Sequence, residues 1–145
     1  GDHDDLDWWM LTHQWAVGEF DELDIALIGA GPGVAPVRAR VASPAALVAM
    51  KSASVPLRRS STPHKRASDL FDILQLVTYA GDDVEARLAR ATPTLRHGVG
   101  RRLVEWYRLA AALRELLAAV PPTLRRPSLD DLDPVVELGQ SLTAA

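Results

Sequence analysis

The spacing of apolar residues changes at Ser43-Pro44, and this change limits the fold more than any other feature of the chain. Before it, Val37, Ala39 and Val41 alternate with Arg38 and Arg40, the two-residue period of a short, half-exposed strand over Val34–Val41. Glu19–Ile28 (EFDELDIALI) reads as another strand, closed by the turn Gly29-Ala-Gly31-Pro-Gly33, and the two are expected to pair as a hairpin. The first 18 residues fit either an irregular cap or a further strand.

After the change the period is helical. Ser43 is placed to cap a helix with its hydroxyl, and Pro44 suits a first turn, where no amide hydrogen is needed. This helix should run to about Val55 and stop at Pro56, with Pro56–Lys65 as a mobile loop. A second helix is expected over Arg66–Tyr79, ending at Gly81. Its Leu70, Ile73, Leu74 and Val77 recur at i, i+3, i+4 and i+7 on one buried face. A short helix near Asp83–Ala91 and a long one over about Thr94–Val120 follow. The long one lines up Leu95, Val99, Leu103, Trp106, Ala110, Leu113, Leu117 and Val120 as core or as an oligomer seam, and Pro121-Pro122 ends it. A last helix starts at Asp133-Pro134 and runs toward Leu142. The fold class is therefore α+β: a β element over residues 1–42, then a helical domain of four or five helices over residues 43–145. No strand is expected between residues 66 and 120.

Composition narrows the function. Without cysteine there are no disulfides, thiolate metal sites or cysteine nucleophiles. No apolar run approaches the ~20 residues of a membrane span, and the first residues lack the basic and apolar regions of a signal peptide. A cytoplasmic protein with no membrane partner is expected. The net charge of -3 conceals an asymmetry: residues 1–24 hold eight of the 19 acids, three of the four tryptophans and no Lys or Arg. The basic groups Arg58-Arg59, Lys65-Arg66, Arg101-Arg102 and Arg125-Arg126 suit RNA or nucleotide phosphates, or are simply solvated helix surface. The strand running into Gly29-Ala-Gly31-Pro-Gly33 imitates a dinucleotide-binding opening. It lacks the third glycine, at Val34, and the following helix, so it reads as a hairpin turn.

The residues with chemistry lie in the first two predicted helices. Asp69 and Asp72 are i, i+3 neighbours, Asp72 nearly opposite the apolar stripe and Asp69 at its boundary. Lys65 stands four residues before Asp69 and can pair with it, while Lys51 lies on the preceding helix. Taken alone, Asp69 could simply complement the helix macrodipole and Lys51 could be a surface lysine.

The stretch Pro44-Ala-Ala-Leu-Val-Ala-Met-Lys51, a variable loop, then Lys65-Arg66-x-x-Asp69-Leu-x-Asp72-Ile resembles the third and fourth motifs of the AbiEii-type nucleotidyltransferases. These are toxins of bacterial abortive-infection and toxin–antitoxin systems. Glu22-Leu-Asp24-Ile-Ala-Leu-Ile is similar to the acidic strand of their second motif, so the resemblance covers roughly residues 19–80, the C-terminal part of such a protein. It implies transfer of a nucleotide from an NTP to an acceptor such as tRNA or a protein, with Mg2+ as cofactor and a cognate antitoxin protein as a further partner. By resemblance, Asp24 completes the metal site or acts as base, and Lys51 contacts the nucleotide phosphates. Asp69 orients Lys51 or the substrate, and Asp72 supports the helix junction and the nucleotide site. Chemically, carboxylates hold the divalent ion and a lysine steadies phosphates as a point charge.

The sequence departs from the family at its first motif, a Gly-Ser or Gly-Gly turn followed by an Asp-x-Asp pair. Asp5-Leu6-Asp7 has the Asp-x-Asp form and supplies the remaining candidate metal ligands, but only 16 residues separate Asp7 from Asp24. The expectation is that the chain is too short for a complete active site and transfers no nucleotide alone. The competing expectation is a non-catalytic helical module that binds a partner protein or RNA. A remnant active site requires Lys51 and Asp69 to converge beside Asp24.

Overall fold

The computed structural model describes residues 2–29, 31–58 and 62–144. Helix α1 (Asp2–Gly18) is followed by strands β1 (Phe20–Ile25) and β2 (Val37–Ala42). Helices α2 (Pro44–Leu57), α3 (Pro63–Ala89), α4 (Pro93–Tyr107) and α5 (Ala110–Leu117) come next; a 3-10 turn at Asp130–Leu132 leads into α6 (Asp133–Ala144). The α+β class is as expected, and the described residues between 66 and 120 contain no strand.

The hairpin forms with shorter strands than the sequence suggested. β1 and β2 pair antiparallel, with Phe20 opposite Ala42 and Ile25 opposite Val37. Gly29 and Gly33 take positive φ of 82° and 92°, a conformation that explains glycine at those two points of the turn. Ala30, between them, lies outside the described residues.

The first 18 residues are neither an irregular cap nor a strand. Residues 2–18 form a helix whose Trp8, Thr12 and Ala16 are buried at i, i+4 and i+8, with Leu11 and Trp15 partly buried beside them. Acids in the first turns, such as Asp4 and Asp5, suit the positive end of the helix. α1 packs on α2, and Trp8 reaches across to α4, where a Cβ on Gly98 would stand 2.3 Å from the indole ring.

Ser43 caps α2 as expected, its Oγ accepting from the Ala46 amide at 3.1 Å. Pro56 does not stop the helix but sits in its last turn, where the missing amide forfeits one bond. The chain beyond is tied back by the Arg58 amide and by Arg66 Nη1, which both donate to the Val55 carbonyl, at 3.2 Å each. The expected loop over Pro56–Lys65 is correspondingly short, since α3 already begins at Pro63; residues 59–61 lie outside the described residues.

Two further boundaries moved. The second helix and the short one after it are a single helix with a kink at Ala80 (φ -138°, ψ 26°), so Gly81 marks a bend and not an end. Val84 and Leu88 continue the buried stripe past the kink, which holds both halves on one core. Conversely, the long helix expected over residues 94–120 breaks at Leu109, whose φ of -92° and ψ of 138° are extended. The buried residues then run Leu95, Val99, Leu103, Tyr107 before the break and Ala112, Leu116 after it. The core joins α2, α3, α4 and α6, with Leu70, Ile73, Leu103, Val135 and Leu142 fully enclosed. α4 and α6 touch backbone to backbone at Gly100 and Gly139: a Cβ on either would come 2.7 Å from the other's carbonyl oxygen. No helix among the described residues is long and apolar enough to cross a membrane.

Candidate functional site

Lys51, near the middle of α2, faces the early turns of α3. Its Nζ donates to Asp69 Oδ1 at 3.1 Å and to Asp72 Oδ2 at 2.7 Å. Arg58, the residue that closes α2, donates from Nε to Asp69 Oδ2 at 2.8 Å. The side chain of Asp69 is only 9% exposed, against 23% for Lys51, 36% for Arg58 and 44% for Asp72. A carboxylate this enclosed is costly unless each oxygen meets a donor, and here both oxygens meet cations. Two cations face two carboxylates, so the cluster is formally neutral. Burial presses the Lys51 pKa down, but the hydrogen bonds to Asp72 and Asp69 outweigh it, and the ammonium is held above its ordinary range.

The cluster continues into the core. Tyr107, at the end of α4, donates its buried hydroxyl to the Leu70 carbonyl at 2.6 Å. Burial, then the nearby Glu115 carboxylate, raises that phenol well above its usual range, so it stays a neutral donor. Arg66 Nε donates to Glu115 Oε1 at 2.7 Å and so joins α3 to α5. Side chains from four helices thus meet around the start of α3.

The residues selected from the sequence fall into two groups. Lys51, Asp69 and Asp72 converge, from positions 18 and 21 residues apart. Lys65 is not the partner of Asp69; Lys51 and Arg58 hold it instead. Asp24 belongs to the hairpin, where its side chain is 62% exposed and accepts from Arg38 Nη1 at 3.4 Å. It is not among the partners of Lys51. Asp5 and Asp7, two residues apart on α1, project roughly 200° apart around the helix axis and cannot turn both carboxylates to one ion. Asp7 is exposed, whereas Asp5 borders a cleft of about 390 Å³ with Arg66, Arg101, Arg102, Glu105 and Trp106. Among the described residues no three of His, Asp or Glu stand together as a metal-ligand set. Asp24, Asp5 and Asp7 therefore do not fit one magnesium ion in this arrangement.

Two participants were not legible in the sequence. Arg58 sits in a stretch that reads as loop, and nothing in its spacing to Asp69 announces their contact. Arg87, on α3, donates to Asp21 at 2.7 Å and pairs with Asp83 at 3.0 Å and Glu19 at 3.5 Å, which fastens the base of the hairpin to the helical body. The bonds to Asp83 and Asp21 hold its pKa above the ordinary arginine value. Several of the basic residues weighed as phosphate contacts or as solvated surface have internal partners. Arg66 is tied to Glu115, Arg125 to Asp131, and Arg102 stacks over Trp8 at 4.2 Å. Compared with protein-family models, curated proteins and solved structures, the chain matches none.

Proposed function

We propose that the chain is a non-catalytic interaction module, a helical body that binds a partner protein or RNA and transfers no nucleotide. The closed cluster of Lys51, Arg58, Asp69 and Asp72 carries this reading. To hold a triphosphate, Lys51 would have to release Asp72 at 2.7 Å and leave the enclosed Asp69 to Arg58 alone. The arrangement of Lys51 is that of a clamp between α2 and α3.

A second reading, nucleotidyl transfer, draws on a specific observation: Lys51 meets Asp69, which the resemblance gives as its orienting residue, and Asp72, which it places at the helix junction. In that case Lys51 turns to nucleotide phosphates with Asp69 as its orienting partner, and the carboxylates of the metal site come from elsewhere.

The two separate in one experiment. The chain and its Lys51→Met variant are incubated with each labelled NTP, magnesium and total tRNA, and nucleotide affinity is followed by tryptophan fluorescence. The interaction module gives no label on tRNA or protein and the same weak fluorescence response in both forms. Label transfer that vanishes in Lys51→Met, with the variant still folded by circular dichroism, overturns it in favour of the enzyme.

A further inference from the structure

Along α4 runs a groove that the Lys51 cluster does not use. The cleft of about 390 Å³ bordered by Asp5, Arg66, Arg102 and Trp106 adjoins two more, of about 470 and 450 Å³, between α4 and the end of α6. Arg101 lines all three, and Arg108 lines the second. These two arginines are seven residues apart, so they share one side of α4, about 10 Å from each other along its axis. The groove sets four arginines against two carboxylates, Asp5 and Glu105, in a chain whose net charge is -3.

Three of these arginines lack a carboxylate of their own. Arg102 is half-buried and held in place: its guanidinium stacks over Trp8 at 4.2 Å, and Nη1 donates to the Gly98 carbonyl at 3.2 Å. That bond leaves most of the guanidinium N–H donors open, and no carboxylate among the described residues stands at ion-pair distance from them. Burial, then the adjacent Arg101 charge, lowers the Arg102 pKa against the weaker pull of Asp5 and Glu105. Arg101 and Arg108 are exposed, and among the described residues their side chains have no hydrogen-bond or ion-pair partner. A guanidinium fixed on an indole with its edge open is ready to receive an oxyanion, because it has little rotamer freedom left to lose.

We infer that this groove binds single-stranded RNA, with phosphates on Arg102, Arg101 and Arg108 and one base against Trp106. The inference rests on the interaction-module reading, of which it takes the RNA branch. Cations strung along two turns of α4 answer a repeating anion better than a single one. Two features favour RNA over an acidic protein segment. Trp106, half-buried in the wall of the first cleft, is a surface on which a base stacks and from which a carboxylate side chain gains nothing. Asp5 and Glu105 repel the side chains of an acidic peptide, whereas ribose 2′-hydroxyls and base amino groups donate to carboxylates. The bases of a duplex are stacked on one another and do not reach Trp106, so the strand is single.

Fluorescence anisotropy of a short, unstructured, labelled RNA tests this, at about 50 mM salt and without NTP or magnesium. The chain is expected to bind it in the micromolar range, and Arg101→Gln/Arg108→Gln at least ten-fold more weakly. With two phosphate contacts removed, the slope of log affinity against log salt should fall by about 1.4, at ~0.7 per contact on a single strand. Arg90→Gln/Arg126→Gln takes the same charge from exposed arginines that line none of the three clefts, and should change affinity less than two-fold. DNA of the same sequence should bind several-fold more weakly. Circular dichroism checks the variants; if the first loses helix, Arg101→Gln alone replaces it, with about half the change in slope. The inference is overturned by a chain that binds no RNA up to about 300 µM or by equal losses in the two double variants. DNA bound as tightly as RNA, or a polyglutamate peptide bound more tightly, overturns it as well. In each case the interaction-module reading stands, since it falls only with label transfer that depends on Lys51.

Discussion

Asp69 shows how one position in this chain answers to two helices at once. Its place at i-1 to Leu70 puts it on the margin of the buried stripe, and the packing of α2 closes it off from water. Once enclosed it needs both Lys51 and Arg58, so the stability of the junction depends on charges from a different helix. Replacing Lys51 by Met leaves Asp69 with one cation and Asp72 with none, and should lower stability by about 2 kcal/mol, less than for a fully buried pair because water still reaches Asp72. Urea denaturation measures it. The loss also has a pH signature. Because the Lys51 pKa is raised on folding, its contribution is complete below the unfolded value and disappears as pH rises through the folded one. The difference between the chain and Lys51→Met should therefore hold steady from about pH 7 to 9 and shrink only above the ordinary lysine value of about 10.4. A difference that shrinks below pH 9 would mean that the ammonium is not the source.

At the level of elements, the facing Gly100 of α4 and Gly139 of α6 and the glycine of α3 make opposite demands. At Gly100 an added methyl would sit 2.7 Å from the Gly139 carbonyl oxygen and 3.0 Å from Leu142 Cβ. Backbone cannot step aside without separating the helices. The ~1 kcal/mol that alanine gains in helix propensity is outweighed by overpacking of about 1–3 kcal/mol or more. Gly100→Ala should lower the melting temperature by several degrees. At Gly81, beside the kink, the same methyl meets nothing nearer than Val77 Cγ1 at 3.9 Å. Gly81→Ala should raise stability by up to ~1 kcal/mol. If both changes had the same sign in calorimetry, close contact would not be what separates the two sites. The kink itself follows from continuity of packing: Val77, Val84 and Leu88 all reach the core, so the helix resumes after one non-helical residue.

For the molecule as a whole, the question is how the hairpin is joined to the helices. The Ser43 amide donates to the Glu19 carbonyl at 3.1 Å where the ribbon meets α2, and Arg87 binds Asp21 and Glu19 from α3. Beyond that base the described residues of the hairpin are exposed, apart from half-buried Ala39, which is also why Asp24 stands apart from Lys51. Arg87→Leu should loosen this attachment. Hydrogen exchange read by mass spectrometry is expected to show at least ten-fold faster exchange in β1 and β2, with the amides of α2, α4 and α6 little changed. Equal acceleration throughout the chain would instead place Arg87 in the global fold.

The sequence by itself determined the strand or helix character of most segments after residue 18. Alternation around Val37–Val41, the Ser43-Pro44 cap and the Leu70–Val77 stripe depend on neighbours within a turn or a strand, and such short-range physics is written in local order. It also marked Lys51, Asp69 and Asp72 as residues to watch, Asp69 and Asp72 by their i, i+3 spacing and all three by a resemblance. Tertiary packing decided what local order leaves open. The acids and indoles of α1 obscured a stripe at Trp8, Thr12 and Ala16 that becomes an inner face only against α2 and Gly98. Leu109 turned extended and broke a long periodic run, while Gly81, a stronger break on propensity, was carried through because residues on both sides of it are buried. Arg58 reaches Asp69, and Asp24 does not reach Lys51, because those distances are set by how α2, α3 and the hairpin pack, over separations that no local pattern records.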